Sequence, residues 1–282
     1  MDKNKEQIIL PGLYIVSTPI GNMEDVTFRA LNILKKSDII LCEDTRRSGK
    51  LLSHFKIKKK LMAYHKFNEK KISSEVLSAL KKNKIISLIC DAGTPTISDP
   101  GMLLVNQCIN EKLNIYPIPG PSAVTSATSI SGFSDKYLFY GFLTKKDNEL
   151  EKILKKLYNL DYSIIFFIPA QKINFYITKF KKYFSDRKVV IAKEMTKLHE
   201  EFIRDNVSTI DNLPKNLKGE LTVVLSDKIK VKNIQKDISE SVKIEIKKMI
   251  KKYSNKDIVE FFSKKENLPK KIIYNYCLEL KK

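Results

Sequence analysis

The chain has 282 residues, of which 43% are hydrophobic and 30% charged, and its formal net charge at pH 7 is +20. This length and apolar content predict folded domains with buried cores and exclude an intrinsically disordered chain. A strongly basic protein favours a polyanionic partner, and nucleic acid is the first candidate. The four cysteines have neither paired nor metal-ligand spacing, and no apolar run reaches membrane-spanning length. We therefore expect a cytoplasmic protein with reduced thiols and no metal site.

Short apolar runs alternate with helical patterns over residues 1–134, the expected first domain. Asp25 is a plausible N-cap of the first helix. The alternation predicts a parallel sheet with helices on both faces, whose loops form a ligand cleft at the carboxyl ends of the strands. The strands are expected at 13–17, 38–42, 61–64, 85–89 and 114–118, and the helices near 26–36, 74–82, 102–111 and 123–131.

The loop at residues 90–101 is the most informative stretch of this domain. It lies between a predicted buried strand and a predicted helix, and it contains two glycines and two prolines. Its small side chains let a ligand approach the backbone, while Asp91 and Asp99 supply hydrogen-bond acceptors. A tight turn without a ligand is the alternative. No Gly-x-Gly-x-x-Gly or Walker-type loop is present, which counts against a dinucleotide site of the usual kind and against nucleotide hydrolysis.

Residues 135–229 are expected to form a second α/β domain, and 230–282 a basic helical segment. In the second domain we interpret 139–143 as the connector and predict a smaller mixed sheet with flanking helices. The C-terminal segment has three helical stretches, of which the last two, joined by a turn, resemble a helix-turn-helix. They either pack as a solvated helical hairpin or contact phosphates. The second-domain helices are expected near 147–158 and 172–183, and its strands at 163–168, 188–193, 200–204 and 219–225.

Four loop motifs occur in order along the chain and together resemble those of the tetrapyrrole methylase superfamily. Within it, they are similar to the bacterial enzymes that 2′-O-methylate a cytidine ribose in the decoding centre of 16S ribosomal RNA. The resemblance implies two α/β domains with a cofactor cleft between them, S-adenosylmethionine as cofactor, a homodimer, and the small ribosomal subunit as partner. The motifs are Ser17 to Asp25, Glu43 to Arg46, Asp91 to Pro95 with Ser98 to Gly101, and Pro119 to Ala123.

The resemblance and the residue types assign candidate binding residues. Arg46 and Arg47 are two of only five arginines and are suited to holding phosphate. An ion pair between Asp44 and Arg47 at a helix start is the alternative, and His65 is alternatively a solvated loop residue. The cofactor residues implied are Pro19, Gly21, Asp91, Ala92, Gly93, Thr94, Pro95, Ser122 and Ala123, and the RNA-binding candidates are Arg46, Arg47, His65, Asn68 and Lys197.

The catalytic residue stays open at this point. A ribose hydroxyl is a poor nucleophile at neutral pH, so a base or charge stabilisation is expected to assist it. The acceptors close to the predicted cleft are Glu43, Asp44 and Asp25.

One loop departs from the family pattern. Where relatives usually carry an acidic residue and a His-Arg pair, this chain has Ile168, Gln171 and Lys172. Two other functions therefore compete with RNA methylation. A small-molecule tetrapyrrole methylase is disfavoured by the basic surface, and a non-catalytic RNA-binding or ribosome-assembly protein is disfavoured by the intact cofactor loops.

Overall fold

A computed structural model describes residues 8–229, 238–266 and 268–281. The chain divides between residues 228 and 229 into two compact units, which are described separately. The first unit contains both sheets. None of the helices in the described part of the chain is long and apolar enough to cross a membrane.

The first sheet has five parallel strands in the order β3-β2-β4-β1-β5, which confirms the predicted parallel architecture. Alternate strand residues face opposite sides, so Ile40 packs under the first two helices and Leu41 under the next two. The strands are β1 (Gly12–Val16), β2 (Ile39–Cys42), β3 (Lys60–Ala63), β4 (Ile85–Leu88) and β5 (Ile115–Ile118), and the helices are α1 (Phe28–Lys36), α2 (Thr45–His54), α3 (Glu69–Lys81), α4 (Met102–Asn110) and α5 (Ala123–Ser129).

Two local predictions in this sheet need correction. Asp25 does not cap α1, because it ends a 3-10 turn, Met23–Asp25, and Thr27 Oγ1 accepts from Ala30 N at 3.1 Å instead. Helix α2 is absent from the predicted helices, although the alternative Asp44–Arg47 pair assumes a helix start at this point. Its central Gly49 and its short apolar face give a weak helical pattern, and Asp44 begins it by accepting from Arg46 N at 2.8 Å.

The second sheet also has five strands, in the order β6-β7-β10-β8-β9, so the prediction of a smaller sheet is wrong. The sheet is mixed, as predicted: β6 and β7 are parallel, and the other neighbouring strands pair antiparallel. The predicted connector at 139–143 belongs largely to the edge strand β6. The strands are β6 (Tyr137–Phe142), β7 (Ser163–Pro169), β8 (Lys188–Lys193), β9 (Glu201–Asn206) and β10 (Glu220–Leu225), and the helices are α6 (Asp147–Tyr158) and α7 (Ile173–Tyr183).

The two sheets are joined by helix α5. Helices α6 and α7 cover one face of the second sheet, and α5 covers the other through Val124 and Ala127. These two side chains pack against Ile165, Val190 and Val224. Because α5 follows the last strand of the first sheet, the loop before it lies where the two sheets meet.

The described residues of the C-terminal unit form three helices, as predicted: α8 (Glu240–Met249), α9 (Asn255–Lys265) and α10 (Lys270–Glu279). Its buried centre includes Phe262 and Cys277. Ser254 caps α9 by accepting from Asp257 N at 3.3 Å, and its hydroxyl donates to the Asp257 carboxylate at 2.6 Å. The unit therefore has a core of its own, and phosphate contact by its lysines stays a prediction.

Arg187 lies directly before β8 and has no exposed surface. Its guanidinium donates to the carbonyl oxygens of Tyr162 at 2.8 Å and Ser226 at 2.6 Å, and also to that of Leu160. The ring of Phe184 lies 5.4 Å from the guanidinium carbon. One charged side chain thus satisfies carbonyls from the loop before β7 and from the end of β10.

Replacing Arg187 with methionine is expected to lower the free energy of unfolding by about 3 kcal/mol or more, because several buried carbonyls lose their donor. Urea unfolding followed by circular dichroism measures the change. Arg29→Met is the matched control, since Arg29 is exposed and makes one bond to Pro117 O at 3.2 Å. Equal effects of the two substitutions would contradict a structural role for the buried guanidinium.

Candidate functional site

The loops that follow β1, β4 and β5 are joined to one another. Thr18 and Gly93 exchange both backbone hydrogen bonds, at 2.8 and 3.0 Å. The hydroxyls of Ser17 and Thr94 lie 2.9 Å apart, and Thr94 Oγ1 also donates to Pro121 O at 3.2 Å. The three loops therefore form one connected wall at the carboxyl edge of the first sheet, as the parallel architecture predicts.

Gly93 lies at the centre of this wall. Its φ of +85° is a conformation that L side chains rarely adopt. A Cβ added there would stand 3.5 Å from Ile20 Cγ2 and 3.8 Å from Pro121 O. It would thus fill the space between the loops after β1 and β5. Nearby, Thr96 and Ser98 also have positive φ values, 71° and 69°, so this loop is locally strained.

The remaining candidate cofactor residues occupy the same wall in different ways. Pro19 and Pro95 are buried, whereas Ala92 is exposed. Ser122 uses its hydroxyl to accept from Thr125 N at 3.5 Å at the start of α5. Ala123 packs, partly buried, against the core between α5 and the second sheet.

Gly21 connects the first sheet to the second. A Cβ on it would come within 2.5 Å of Lys197 Cγ and 2.6 Å of Thr196 Oγ1. Thr196 Oγ1 also accepts from Asn22 N at 3.0 Å. Lys197 is exposed and its ammonium pairs with Glu194 at 2.9 Å. The close approach explains the need for glycine, and it brings Lys197 to the edge of the wall.

Three carboxylates from two loops come together beside the wall: Glu43 follows β2, and Asp91 and Asp99 follow β4. Burial, followed by repulsion from Glu43, raises the pKa of Asp99 to about 6. Partial desolvation and then the neighbouring Asp91 raise the pKa of Glu43. Below the loop, burial raises the pKa of the Cys90 thiol, which donates to Ala92 O at 3.3 Å. Cys90 therefore stays a protonated thiol and is not a nucleophile.

Asp44 and the two arginines form ion pairs that differ from the predicted one. The hydrogen bonds from Arg46 hold the pKa of Asp44 well below its usual range, with Nη2 2.8 Å from Oδ2. Arg47 pairs with Asp91 at 2.9 Å, not with Asp44. The alternative Asp44–Arg47 pair is wrong because the start of α2 turns Arg47 toward the loop after β4. The side chains of Arg46 and Arg47 remain 88% and 70% exposed.

These residues surround an open cleft of about 530 Å³. Asp91, in the loop after β4, lines it, and its Oδ1 accepts from Asp44 N at 3.3 Å, which links that loop to the loop after β2. Asn68 does not line the cleft, but its Oδ1 accepts from His65 N at 2.8 Å in the loop after β3. Asp25 is exposed and also lies outside the lining. The lining residues are Glu43, Asp44, Thr45, Arg46, Arg47, Ala63, His65, Phe67 and Asp91.

Two features of the site are not predicted by the sequence. Asp99 is expected only as an acceptor and not as a neighbour of Glu43, and no pattern indicates that Phe67 lines the cleft. His65 Nδ1 is buried and has no hydrogen-bond partner among the described residues. No group of three or more metal-ligating side chains occurs in the described ranges.

The departure at Ile168 has a structural explanation. Ile168 is fully buried in β7 and packs in the main core of the second sheet. An apolar residue satisfies that position, whereas an ionised one would be costly there. Gln171 and Lys172 follow in an exposed 3-10 turn.

Residues 12–211 match the family described as Tetrapyrrole (Corrin/Porphyrin) Methylases. The chain belongs to this family. The resemblance drawn from the four loops is thus confirmed. We call the joined loops after β1, β4 and β5 the methylase loops. Its curated relatives include proteins named ribosomal RNA small subunit methyltransferase I. The one from Thermotoga maritima is 45% identical over 77% of this chain and 98% of its own length, and the one from Rickettsia prowazekii is 40% identical over 92% and 95%.

Solved structures of other methylases share the fold. The methyltransferase CobJ has a TM-score of 0.60 at 14% identity, covering 77% of this chain and 94% of its own. Diphthine synthase has a TM-score of 0.59 at 13% identity, with coverages of 76% and 89%. At these identities the likeness shows the fold alone.

Asp99 is expected to make stability depend on pH. Its pKa of about 6 lies above the ordinary 3.8, so the fold favours the neutral carboxyl. That stabilisation is complete below pH 3.8 and is lost as the pH rises through about 6. The amide side chain of the Asp99→Asn variant stays neutral at every pH, so only wild type loses this stabilisation as the pH rises. The unfolding free energy of the variant minus that of wild type should therefore increase by about 1–2 kcal/mol between about pH 4 and pH 8.

Urea unfolding at several pH values measures this difference. Asp135→Asn removes an exposed carboxylate and serves as the control, for which the difference should stay flat. A pH-independent difference for Asp99→Asn would mean that the fold does not raise the pKa of Asp99.

Proposed function

We propose that this protein transfers a methyl group from S-adenosylmethionine to the 2′-hydroxyl of a cytidine in the decoding centre of 16S ribosomal RNA. The observation that carries the proposal is the position of Asp91. Its carboxylate pairs with Arg47 in the open cleft, and its backbone belongs to the connected methylase loops. A site for a cationic methyl donor and a cleft for an anionic RNA thus share one residue.

The wall of small residues fits the methyl donor. S-adenosylmethionine supplies a methyl group on a positively charged sulfur. Gly93 keeps open the space between the loops after β1 and β5, and Thr94 fixes those loops by its two hydrogen bonds. Asp91 and Asp99 bring negative charge close to this space, which favours a cationic ligand. The donor would therefore be held by backbone and small side chains from 91–95, 119–123 and 17–21.

Among the three candidate bases, Glu43 is the one that the geometry favours. Asp44 is held in its ionised form by Arg46, which weakens it as a proton acceptor, and Asp25 lies outside the cleft lining. Glu43 lines the cleft, and its raised pKa strengthens it as a base. In our proposal a Glu43 carboxylate oxygen would accept the proton of the ribose 2′-hydroxyl while the hydroxyl oxygen bonds to the methyl carbon. The methyl group would come from S-adenosylmethionine, with the electrons of the methyl–sulfur bond going to sulfur and S-adenosylhomocysteine leaving.

The basic side chains are assigned to the RNA. The exposed guanidiniums of Arg46 and Arg47 have donors to offer phosphate oxygens, and Lys197 adds positive charge near the wall. His65 forms part of the cleft lining, and Asn68 holds its backbone by accepting from His65 N at 2.8 Å. A homodimer, a cytoplasmic location and the assembled small subunit as substrate stay predictions.

A small-molecule tetrapyrrole methylase remains the competing function. Structural neighbours include a protein titled uroporphyrin-III-C-methyltransferase, at 15% identity and a TM-score of 0.56. That likeness concerns the fold. The net charge of +20 and the exposed arginine pair favour RNA instead.

Tritiated methyl transfer to small ribosomal subunits from cells lacking this methylation tests the function, with nuclease mapping of the label. We expect label on one cytidine ribose for wild type and for Gly132→Val, and none for Gly93→Val. Both glycines have positive φ, +85° and +70°, but nothing lies within 4 Å of a Cβ at Gly132. The matched pair therefore separates backbone strain from a filled donor site. Label on a base, or methylation of a tetrapyrrole precursor only, would overturn the ribose assignment.

Glu43→Gln tests the base. The substitution keeps size and polarity, so calorimetric affinity for S-adenosylmethionine should stay within about twofold, while kcat falls by roughly 10²–10⁴-fold. Asp25→Asn is the comparison and is expected to keep most of the activity. A larger loss for Asp25→Asn than for Glu43→Gln would reassign the base.

A further inference from the structure

Phe67 has an unusual environment for a phenylalanine. Its side chain is 95% exposed, the largest fraction among the described large apolar side chains. Single exposed apolar residues are common on protein surfaces, so exposure alone carries no conclusion. The position of this ring, on the lining of the cleft beside His65, is what distinguishes it.

The backbone on either side of Phe67 is held in place. Asn68 Oδ1 accepts from His65 N at 2.8 Å, and Asn68 Nδ2 donates to Ala63 O at 3.0 Å. The amides of Asn68 and Glu69 both donate to His65 O at 3.0 Å. Tyr64 N donates to Cys42 O at 2.8 Å, which ties the loop to β2. The structure thus holds the segment firmly while it leaves the phenyl ring in solvent.

The cleft around the ring has the composition of a single-stranded RNA site. Arg46 and Arg47 present two exposed guanidiniums, and Lys66 and Lys70, on either side of Phe67, are exposed. Positive charge beside an aromatic face is how proteins hold an unpaired nucleotide, with phosphate on the cations and base on the ring. The volume of about 530 Å³ lies in the range of small-ligand sites.

We propose that Phe67 is an RNA-binding residue whose ring stacks on the nucleobase of a nucleotide held in this cleft. This inference rests on the proposed function and deepens it, because it gives the RNA a defined contact beyond phosphate. Stacking on phenylalanine tolerates any base, since every base has a π-face. Phe67 therefore fixes the position of the nucleotide, and groups at the base edge select its identity.

Fluorescence tests the contact directly. The chain contains no tryptophan, so Phe67→Trp introduces a single indole into the cleft. Protein-free 16S ribosomal RNA transcribed in vitro is the probe, and we expect it to quench the indole. Ile109→Trp is the control. Ile109 is 59% exposed near the end of α4, which leads back to the opposite edge of the sheet, and no quenching is expected there. Equal quenching at both sites, or none at 67 while RNA is bound, overturns the proposal.

Kinetics on small ribosomal subunits gives the second readout. Phe67→Ala should raise KM for the subunit about 5- to 150-fold, the range expected for one lost stack. Phe67→Tyr should restore it, while Ile109→Ala and the affinity for S-adenosylmethionine should stay unchanged. An unaltered KM for Phe67→Ala, or no rescue by tyrosine, counts against stacking.

Two outcomes separate this inference from the proposed function. If wild type methylates no RNA, the proposed function fails, and quenching at residue 67 by RNA still supports the contact. If the introduced indole instead responds to protein concentration without RNA, the ring faces a second copy of the chain and the stacking proposal is wrong.

Discussion

The paired hydrogen bonds between Thr18 and Gly93 are the contact on which the rest of the site depends. They join the ends of β1 and β4, neighbouring strands whose chain connections run to opposite sides of the sheet. Such a reversal opens a crevice at the carboxyl edge of a parallel sheet. Thr94 extends the contact to the loop after β5 at Pro121, and Asp91 extends it to the loop after β2. The loops of four adjacent strands are thereby held as one unit.

Charge is distributed unevenly around this unit. The chain carries a net charge of +20, yet Glu43, Asp91 and Asp99 gather in one place, where burial and then the neighbouring carboxylates raise the pKa values of Glu43 and Asp99. Arg47 neutralises part of that charge through Asp91. The positive net charge of the chain therefore attracts a polyanion. Between the loops, the clustered carboxylates favour a bound cation and are themselves proton acceptors. A reaction between a sulfonium and an RNA hydroxyl needs both.

Local sequence patterns predicted the strands well, because short apolar runs such as 85–88 bury both faces of a parallel sheet. They failed where geometry is set by distant residues. Edge strand β6 contains Gly141 with φ +84° beside a register shift, so it resembles a connector. The partner of Arg47 is 44 residues away, and spacing along a helix favours Asp44 instead. The neighbours Asp99 and Glu43 come from loops that only the strand order brings together.

Local sequence patterns do not show whether a side chain is exposed, and for this reason they indicate His65 but not Phe67 as a candidate binding residue. A histidine carries chemistry that a sequence displays, whereas a phenylalanine is expected in a core until its exposure is known. Strand β3 lies at the edge of the sheet, so its loop borders the connected loops without being covered by a further strand. An edge position leaves room for a bulky polymer. In our proposal a nucleotide held against that edge would lie beside Glu43 and Asp91, and Asp91 belongs to the loop after β4, one of the methylase loops.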